Sequence, residues 1–393
     1  MEFNIDKKAK ERVKKGLYSI ITVLSLVSAV IVGAADYAIP HFADIDEVLA
    51  SENAVGVTSE TLENEATVKL LGIPLKSIDV NAKKDIKLIP CGSVFGVKFF
   101  TKGVMIVGMS DVESTEGILN PAFKSGLRVG DIITGIDGSE VNTVEEIAQH
   151  VDRCDGNKLT IEFERDGEKA ETVLIPLMSL TENKYKTGLW IRDSTAGIGT
   201  ITYYDPETGE FGGLGHGICD VDTGKLMPLL RANVVDITVT DIIKGLDGAP
   251  GEIKGSFGIV KNGALYKNTE EGVFGTLVKA PECAFSEPVE VADMNEVHEG
   301  EAYIYSSLGD AGIRQYAVEL TKIYRNNSDT KNFIFTVTDK ELLDKTGGIV
   351  QGMSGSPIVQ DGKLIGAVTH VLVNNPHKGY GIFIENMLSE AKN

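Results

Sequence analysis

From residue 186 to the C-terminus the chain is cut by glycine into short apolar runs, and that pattern admits few folds. Thirteen strand-like runs, among them 188–192, 197–204, 234–239, 316–324, 357–360 and 363–368, alternate with Gly-marked turns. Helical periodicity is scarce and returns only at 385–392. Runs this short bury their apolar faces by pairing with one another, so a mainly β fold is expected, either a pair of barrels or a sandwich. The 43 glycines and only 12 prolines fit that reading.

Residues 101–178 are laid out differently. A strand at 104–108 is followed by a helix start at Asn120-Pro121-Ala122-Phe123. Then come Ser125-Gly126-Leu127-Arg128-Val129-Gly130-Asp131-Ile132-Ile133 and an Asp137-Gly138 turn. A helix follows from Thr143, capped by its hydroxyl and favoured by Glu145 and Glu146, and two alternating strands meet at Asp166-Gly167. This run resembles a PDZ domain, an α+β module. Such modules bind extended peptides by strand addition. The resemblance implies a peptide-binding stretch at Gly103, Val104, Met105 and Ile106, although the Gly-Leu-Gly-Phe form of carboxylate binders is missing there. A module that only packs against its neighbour is the alternative.

The N-terminus speaks to location. The first sixteen residues hold six basic and three acidic side chains, +3 in all, and leave −22 on the rest of a chain whose net charge is −19. Residues 16–35 are uncharged and rich in Leu, Ile, Val and Ala. Roughly twenty such residues span a bilayer core, and the basic flank keeps that end cytoplasmic. The expectation is a single transmembrane helix with the remainder exported; a cleaved signal peptide, with Gly33-Ala34-Ala35 as its small-residue site, is the rival. The acidic stretch 36–72 reads as a stalk open to processing, and 73–100 as a β segment leading into the PDZ-like module. A body this acidic repels phosphate backbones, which argues against nucleic acid as a partner. Cys91, Cys154, Cys219 and Cys283 are widely spaced with no Cys-x-x-Cys or Cys/His cluster. Free buried thiols are expected, and neither metal nor cofactor.

The chemistry centres on Gly352-Met353-Ser354-Gly355-Ser356-Pro357, which leads into a strand, an Asp361-Gly362 hairpin and a second strand. Glycines on both sides let the Ser354 hydroxyl project while the amides of Gly352 and Ser354 converge on a developing oxyanion. The run is similar to the nucleophile turn of chymotrypsin-like peptidases, with Met353 and Ser356 in place of Asp and Gly. It is not the Gly-x-Ser-x-Gly elbow, since position 356 is Ser and a strand follows. A nucleophilic serine needs a base. His41, His150 and His298 lie in polar surroundings, His377 in a loop, and His370 sits where a pocket wall is expected. His216, flanked by Gly215 and Gly217, is the candidate base. Asp339 or Asp344 is the candidate acid; Asp220 is too close in sequence to His216.

Taken together, the N-terminal span, Thr101-Lys102-Gly103-Val104, Leu214-Gly215-His216-Gly217, 346–357, Gly366-Ala367-Val368-Thr369-His370 and Gly379-Tyr380-Gly381 resemble the stage IV sporulation protein B family. That resemblance implies a self-cleaving serine endopeptidase exported into the space between forespore and mother cell. It implies cleavage of a membrane-bound regulatory protein, which frees an intramembrane protease and activates a late sigma factor. It carries the family's histidine, aspartate and serine to His216, Asp339 and Ser354. A PDZ-type adaptor on a degenerate peptidase fold is the alternative.

Overall fold

The computed structural model describes residues 57–62, 65–70, 73–79, 86–309, 312–325 and 330–392. The chain forms two units, residues 1–86 and 87–393. In the first, β1 (Val57–Leu62), β2 (Glu65–Leu70) and β3 (Ile73–Asp79) form an antiparallel meander. Strands thus begin inside the stretch expected to be a stalk. The polar Thr-Ser-Glu-Thr of β1 conceals the β pattern from hydropathy. The apolar stretch 16–35 lies outside the described residues. Among the described residues no helix is long and apolar enough to cross a membrane.

The second unit opens with β4 (Lys87–Pro90) and the sixteen-residue β5 (Val94–Met109). The PDZ-like module follows: β6 (Val112–Ser114), β7 (Gly117–Leu119), α1 (Pro121–Lys124), β8 (Ile132–Ile136), β9 (Ser139–Glu140), α2 (Val144–Arg153), β10 (Leu159–Arg165) and β11 (Glu168–Leu174). Thr143 caps α2 in a reciprocal capping box with Glu146. Ile106, Leu127, Ile133, Ile147 and Phe163 centre the module's core. The Arg165 guanidinium holds the buried Asp131 carboxylate at 2.7 Å beneath it.

After β12 (Leu177–Met178) and β13 (Tyr185–Lys186), the sixteen-residue β14 (Leu189–Tyr204) runs antiparallel to β5 from Leu189 to Thr200, with register shifts at Trp190/Ile191 and Arg192/Ser194. Then come β15 (Glu210–Gly213), β16 (Leu229–Ile243), β17 (Glu252–Thr269) and β18 (Gly272–Leu277). Pairing passes from β5 to β16, β17, β18, β15 and β14 and returns to β5, so six strands close on themselves. Phe95, Phe99, Phe211 and Val273 fill this first barrel. The segment 87–100, expected only to lead into the PDZ-like module, therefore builds the wall of a barrel, and a boundary at 100/101 falls inside β5. Beyond β19 (Val289–Glu290), a second closed barrel consists of β20 (Gly300–Ser307), β21 (Ile313–Ile323), β22 (Phe333–Val337), β23 (Pro357–Gln360), β24 (Lys363–Val371) and β25 (Lys378–Phe383). Tyr316, Phe333, Phe335 and Phe383 pack its centre. Helix α3 (Lys340–Thr346) joins β22 to the loop before β23, and α4 (Ile384–Lys392) ends the described chain. The mainly β expectation holds, in the two-barrel form.

Cys91 and Cys283 form a disulfide across 192 residues, while Cys154 and Cys219 are free thiols, half-buried and exposed. This corrects the expectation of four free buried thiols. The cysteines carry no spacing signature because the fold, not the local sequence, brings β4 and β19 side by side.

Candidate active site

The turn that carries Ser354 lies where the two barrels meet. Ser354 precedes β23 of the second barrel, yet its carbonyl accepts the Thr200 amide of β14 at 2.9 Å. The Thr200 hydroxyl donates to the Gly352 carbonyl at 2.8 Å, and the Thr202 hydroxyl to that of Gly355 at 2.7 Å. Both threonines are fully buried, so these bonds are shielded from water. Gly355 adopts φ +94°, and a methyl there would overlap the Thr200 carbonyl and the Leu214 amide. The motif glycine is thus a packing requirement as well as a turn requirement.

Leu214 follows β15 and leads into the His216 loop. Leu214 and Gly215 are both left-handed, at φ +66° and +67°. For leucine that conformation is strained, and its cost must be met by burial of its side chain. Gly215 packs on Thr369, Ile382 and Ala367 of the second barrel. This delivers His216 beside His370, with ring centroids 5.0 Å apart and planes tilted by 36°. The residue before His370, Thr369, accepts the Ser354 hydroxyl through its carbonyl at 2.8 Å. Ser354 and His216 are therefore both held against the Thr369–His370 end of β24.

The His216 Nδ1 lies 2.8 Å from the Gly217 carbonyl. That contact assigns the proton to Nδ1 and leaves Nε2 as the acceptor. Burial pushes the imidazole below its ordinary pKa, against a smaller opposing effect of the Gly217 bond. A neutral ring with a bare Nε2 is the form a general base requires. Within the turn, Met353 donates to Val350, Gly355 to Val368 and Ser356 to Met353, all backbone to backbone. Among the described residues, the amides of Gly352 and Ser354, the pair expected to hold the oxyanion, donate to no protein acceptor. Ser356 is wholly buried, which suits a turn residue rather than a nucleophile.

Asp339 is placed elsewhere. It is the N-cap of α3, its Oδ1 accepting the Leu342 amide at 2.9 Å, while its own amide donates to Ala317 of β21. Strand register carries it away from His216: Thr336 pairs with Lys378 and His370 with Tyr380, so the chain beyond Thr336 moves further from the His370 level. The structure does not bring Asp339 to the histidine. Asp344 is exposed on α3, and Asp220 is buried in an ion pair with Arg192. The group that orients His216 is the Gly217 carbonyl. Sequence reasoning passed over it because a main-chain acceptor leaves no residue-type signal.

The proposed peptide-binding stretch is also corrected. Val104 and Met105 pair with Ile133 and Ile132 on one side, and Met105 and Ile106 with Arg192 and Ile191 on the other. The Gly103 amide donates to the Asn142 side chain at 2.7 Å. Val104, Met105 and Ile106 are fully buried, so Gly103–Ile106 is an interior strand that cannot take another. Among the described residues, β11 is one open edge of this module, and β14, which has no second strand partner at 189–193, is the other. Leu189 and Ile191 there are half-buried against the module core, with Val144 and Tyr185 beside them. Helix α2 flanks this edge, its Val144 amide held by Asp193 at 2.9 Å.

The Ser354 turn and the His216 loop, both set against one end of β24 on paired barrels that carry a PDZ module, suit a PDZ-containing serine peptidase. The SpoIVB peptidase S55 family model matches residues 183–388 and a PDZ domain model matches 103–175. The chain belongs to the SpoIVB peptidase S55 family. It is also 28% identical over 176 residues to a zinc metalloprotease of Agrobacterium fabrum, covering 43% of this chain and 46% of that protein. With the zinc metalloprotease RasP of Shouchella clausii it shares 32% over 84 residues, 19% of this chain and 20% of the relative. The chain thus spans less than half the length of the curated relatives it matches. Among solved structures, the HtrA-type protease AlgW with tripeptide is similar at 14% identity and TM-score 0.30, over 49% of this chain and 54% of that one. The Rv3671c protease of M. tuberculosis is similar at 11% and 0.27, over 50% and 74%.

Proposed function

We propose that this peptidase is a membrane-anchored, self-processing endopeptidase that signals during sporulation by cutting a membrane-bound regulatory protein. In this reading His216 accepts the Ser354 proton through Nε2, after the hydroxyl rotates from the Thr369 carbonyl. Ser354 Oγ attacks the scissile carbonyl, and the Gly352 and Ser354 amides stabilise the oxyanion. His216 then returns the proton to the leaving amine, and water attacks the acyl-enzyme by the same route. Asp339 acts at a distance, by anchoring the helix that feeds the nucleophile turn. The observation that carries the chemistry is the packing of the His216 loop and the Ser354 turn against the same end of β24.

The exported location is supported by the basic, then apolar, N-terminus and by the disulfide, which persists in oxidising compartments. The regulatory substrate, the freed intramembrane protease and the activated sigma factor rest on family membership alone. The peptide ligand of the PDZ module adds to the open edge of β14 beside α2. The test is N-terminal sequencing of fragments from the wild type and Ser354→Ala expressed side by side. Fragments that begin within 36–72 in the wild type and vanish in the variant are expected. Identical fragments in both end the self-processing reading.

A further inference from the structure

Arg192 has no use in the acyl-transfer scheme, yet it ties the open edge of β14 to the loop that presents His216. It lies within 189–193 and pairs across with Met105. Its guanidinium binds the carboxylates of Asp220 and, at 2.7 Å, of Asp222. The Asp220 side chain is fully buried, four residues after His216 in the segment that joins β15 to β16. Its Oδ1 accepts the Asp222 amide at 3.1 Å and the Thr223 amide at 2.9 Å, and its backbone pairs with Gly224 and Lys225. One carboxylate thus closes the 220–225 turn with one oxygen and grips β14 with the other. On the far side, the amides of Gly217 and Ile218 donate to the Glu270 carbonyl at 3.1 Å and the Asn268 side chain at 2.8 Å. Asn268 also donates to the carbonyls of Ile218 and Met227, at 3.1 and 2.9 Å, which binds the start of the segment to its end. A shift of the turn therefore moves the Gly217 carbonyl that holds His216 Nδ1 at 2.8 Å.

We propose that Arg192 is a positioning residue for His216, acting through Asp220 to hold the histidine loop against the PDZ module. The pair is sheltered, with Asp220 buried and Arg192 30% exposed, so salt screens it little. The planar guanidinium engages two carboxylates at once, a geometry that an ammonium on a flexible stem does not fix. Loss of either partner leaves the turn tied to the module by the exposed Lys225–Asp166 pair at 2.8 Å and the weak Thr223–Met105 sulfur contact. A displacement of about 1 Å at a catalytic group costs up to about a hundredfold in rate. The catalytic consequence rests on the reading of His216 as the base, whereas the restraint on the loop does not, and the two are measured separately.

The restraint is read by hydrogen exchange on full-length Ser354→Ala protein in detergent, with and without Arg192→Gln or Asp220→Asn. Asparagine at 220 keeps an oxygen for the turn amides and removes the charge. Amides of 214–226 are expected to exchange at least about tenfold faster in either variant, while those of β21 and β22 are unchanged. Unchanged exchange at 214–226 overturns the restraint. The catalytic arm is the labelling of Ser354 by a fluorophosphonate, in which Oγ forms the P–O bond, His216 takes its proton and fluoride leaves. The maximal labelling rate is expected to fall at least about tenfold for Arg192→Gln and for Asp220→Asn, with the half-saturating concentration within about threefold of wild type. Arg192→Gln/Asp220→Asn, which buries no unpaired charge, should lose no more than the worse single variant. Lys186→Gln, which removes the exposed Lys186–Glu182 pair, leaves labelling unchanged. Single losses that multiply in the double variant, or a change confined to half-saturation, overturn the positioning role. A wild type that takes no label at Ser354 ends the catalytic reading, and the positioning role with it, whatever the exchange shows.

Discussion

Asp339 separates two accounts of the same aspartate, one as triad acid and one as helix cap. Its Oδ1 satisfies the Leu342 amide at 2.9 Å, one of the donors that the first turn of α3 leaves without a partner. The seven-residue helix ends at Gly347 in a left-handed cap, and the chain passes within seven residues to Ser354. Replacement by alanine deletes the cap and costs about 1 kcal/mol, within a range of roughly 0.5–2. Asparagine and serine both keep an acceptor and should cost only a few tenths. A triad aspartate behaves otherwise: its replacement by asparagine costs a serine protease about four orders of magnitude in kcat by stabilising the wrong histidine tautomer. The assay is thermal unfolding and peptide hydrolysis for Asp339→Ala, Asp339→Asn and Asp339→Ser. The expected result is a loss of stability confined to alanine, with the other two within about tenfold of wild-type kcat/KM. An asparagine variant as stable as the wild type but about 10⁴-fold slower would refute the capping account.

Four further outcomes follow from the geometry. Thr200→Val removes the buried donor to the Gly352 carbonyl and should cost about 1–3 kcal/mol in chemical denaturation, with a parallel fall in kcat as the oxyanion turn loosens. The acidic limb of kcat/KM should have its midpoint below 6.5, because burial lowers the His216 pKa and keeps the base neutral as pH falls; a midpoint above 7 contradicts the placement. The same sign holds for folding. Unfolded His216 binds protons more readily than the folded ring, so its contribution to stability is lost as pH drops below the unfolded value. Cys91→Ser, or reduction of the wild type, should lower stability by about 2–5 kcal/mol, whereas Cys154→Ser should not.

What the sequence disclosed and what it concealed divide along local and non-local demands. The turn around Ser354 was legible because Gly352 and Gly355, at φ +97° and +94°, answer to backbone conformations that only glycine tolerates well. His216 was legible for the same reason, through the left-handed Gly215 before it. The PDZ core was legible from hydrophobic spacing and the Asp137-Gly138 turn. Which strand of that module lies at an edge was not, since the edge strand β14 arrives after the module and is fixed by pairing with β5. Asp339 is fifteen residues before Ser354 in sequence, but proximity along a chain says nothing of proximity across a barrel. The Cys91–Cys283 bond and the barrel membership of 87–100 depend on partners more than a hundred residues away.

β5 and β14 each start in one module and finish in the other, and they pair with each other in both. The PDZ portion is therefore not a bead on a string. Excising 101–178 would amputate half of β5, strip the 189–193 end of β14 of its partner and leave Leu189 and Ile191 bare to water. A truncated protein of that kind reports on a broken barrel, not on a peptidase freed from its regulator. Point changes on the exposed rim of the module are the instrument for asking what it contributes.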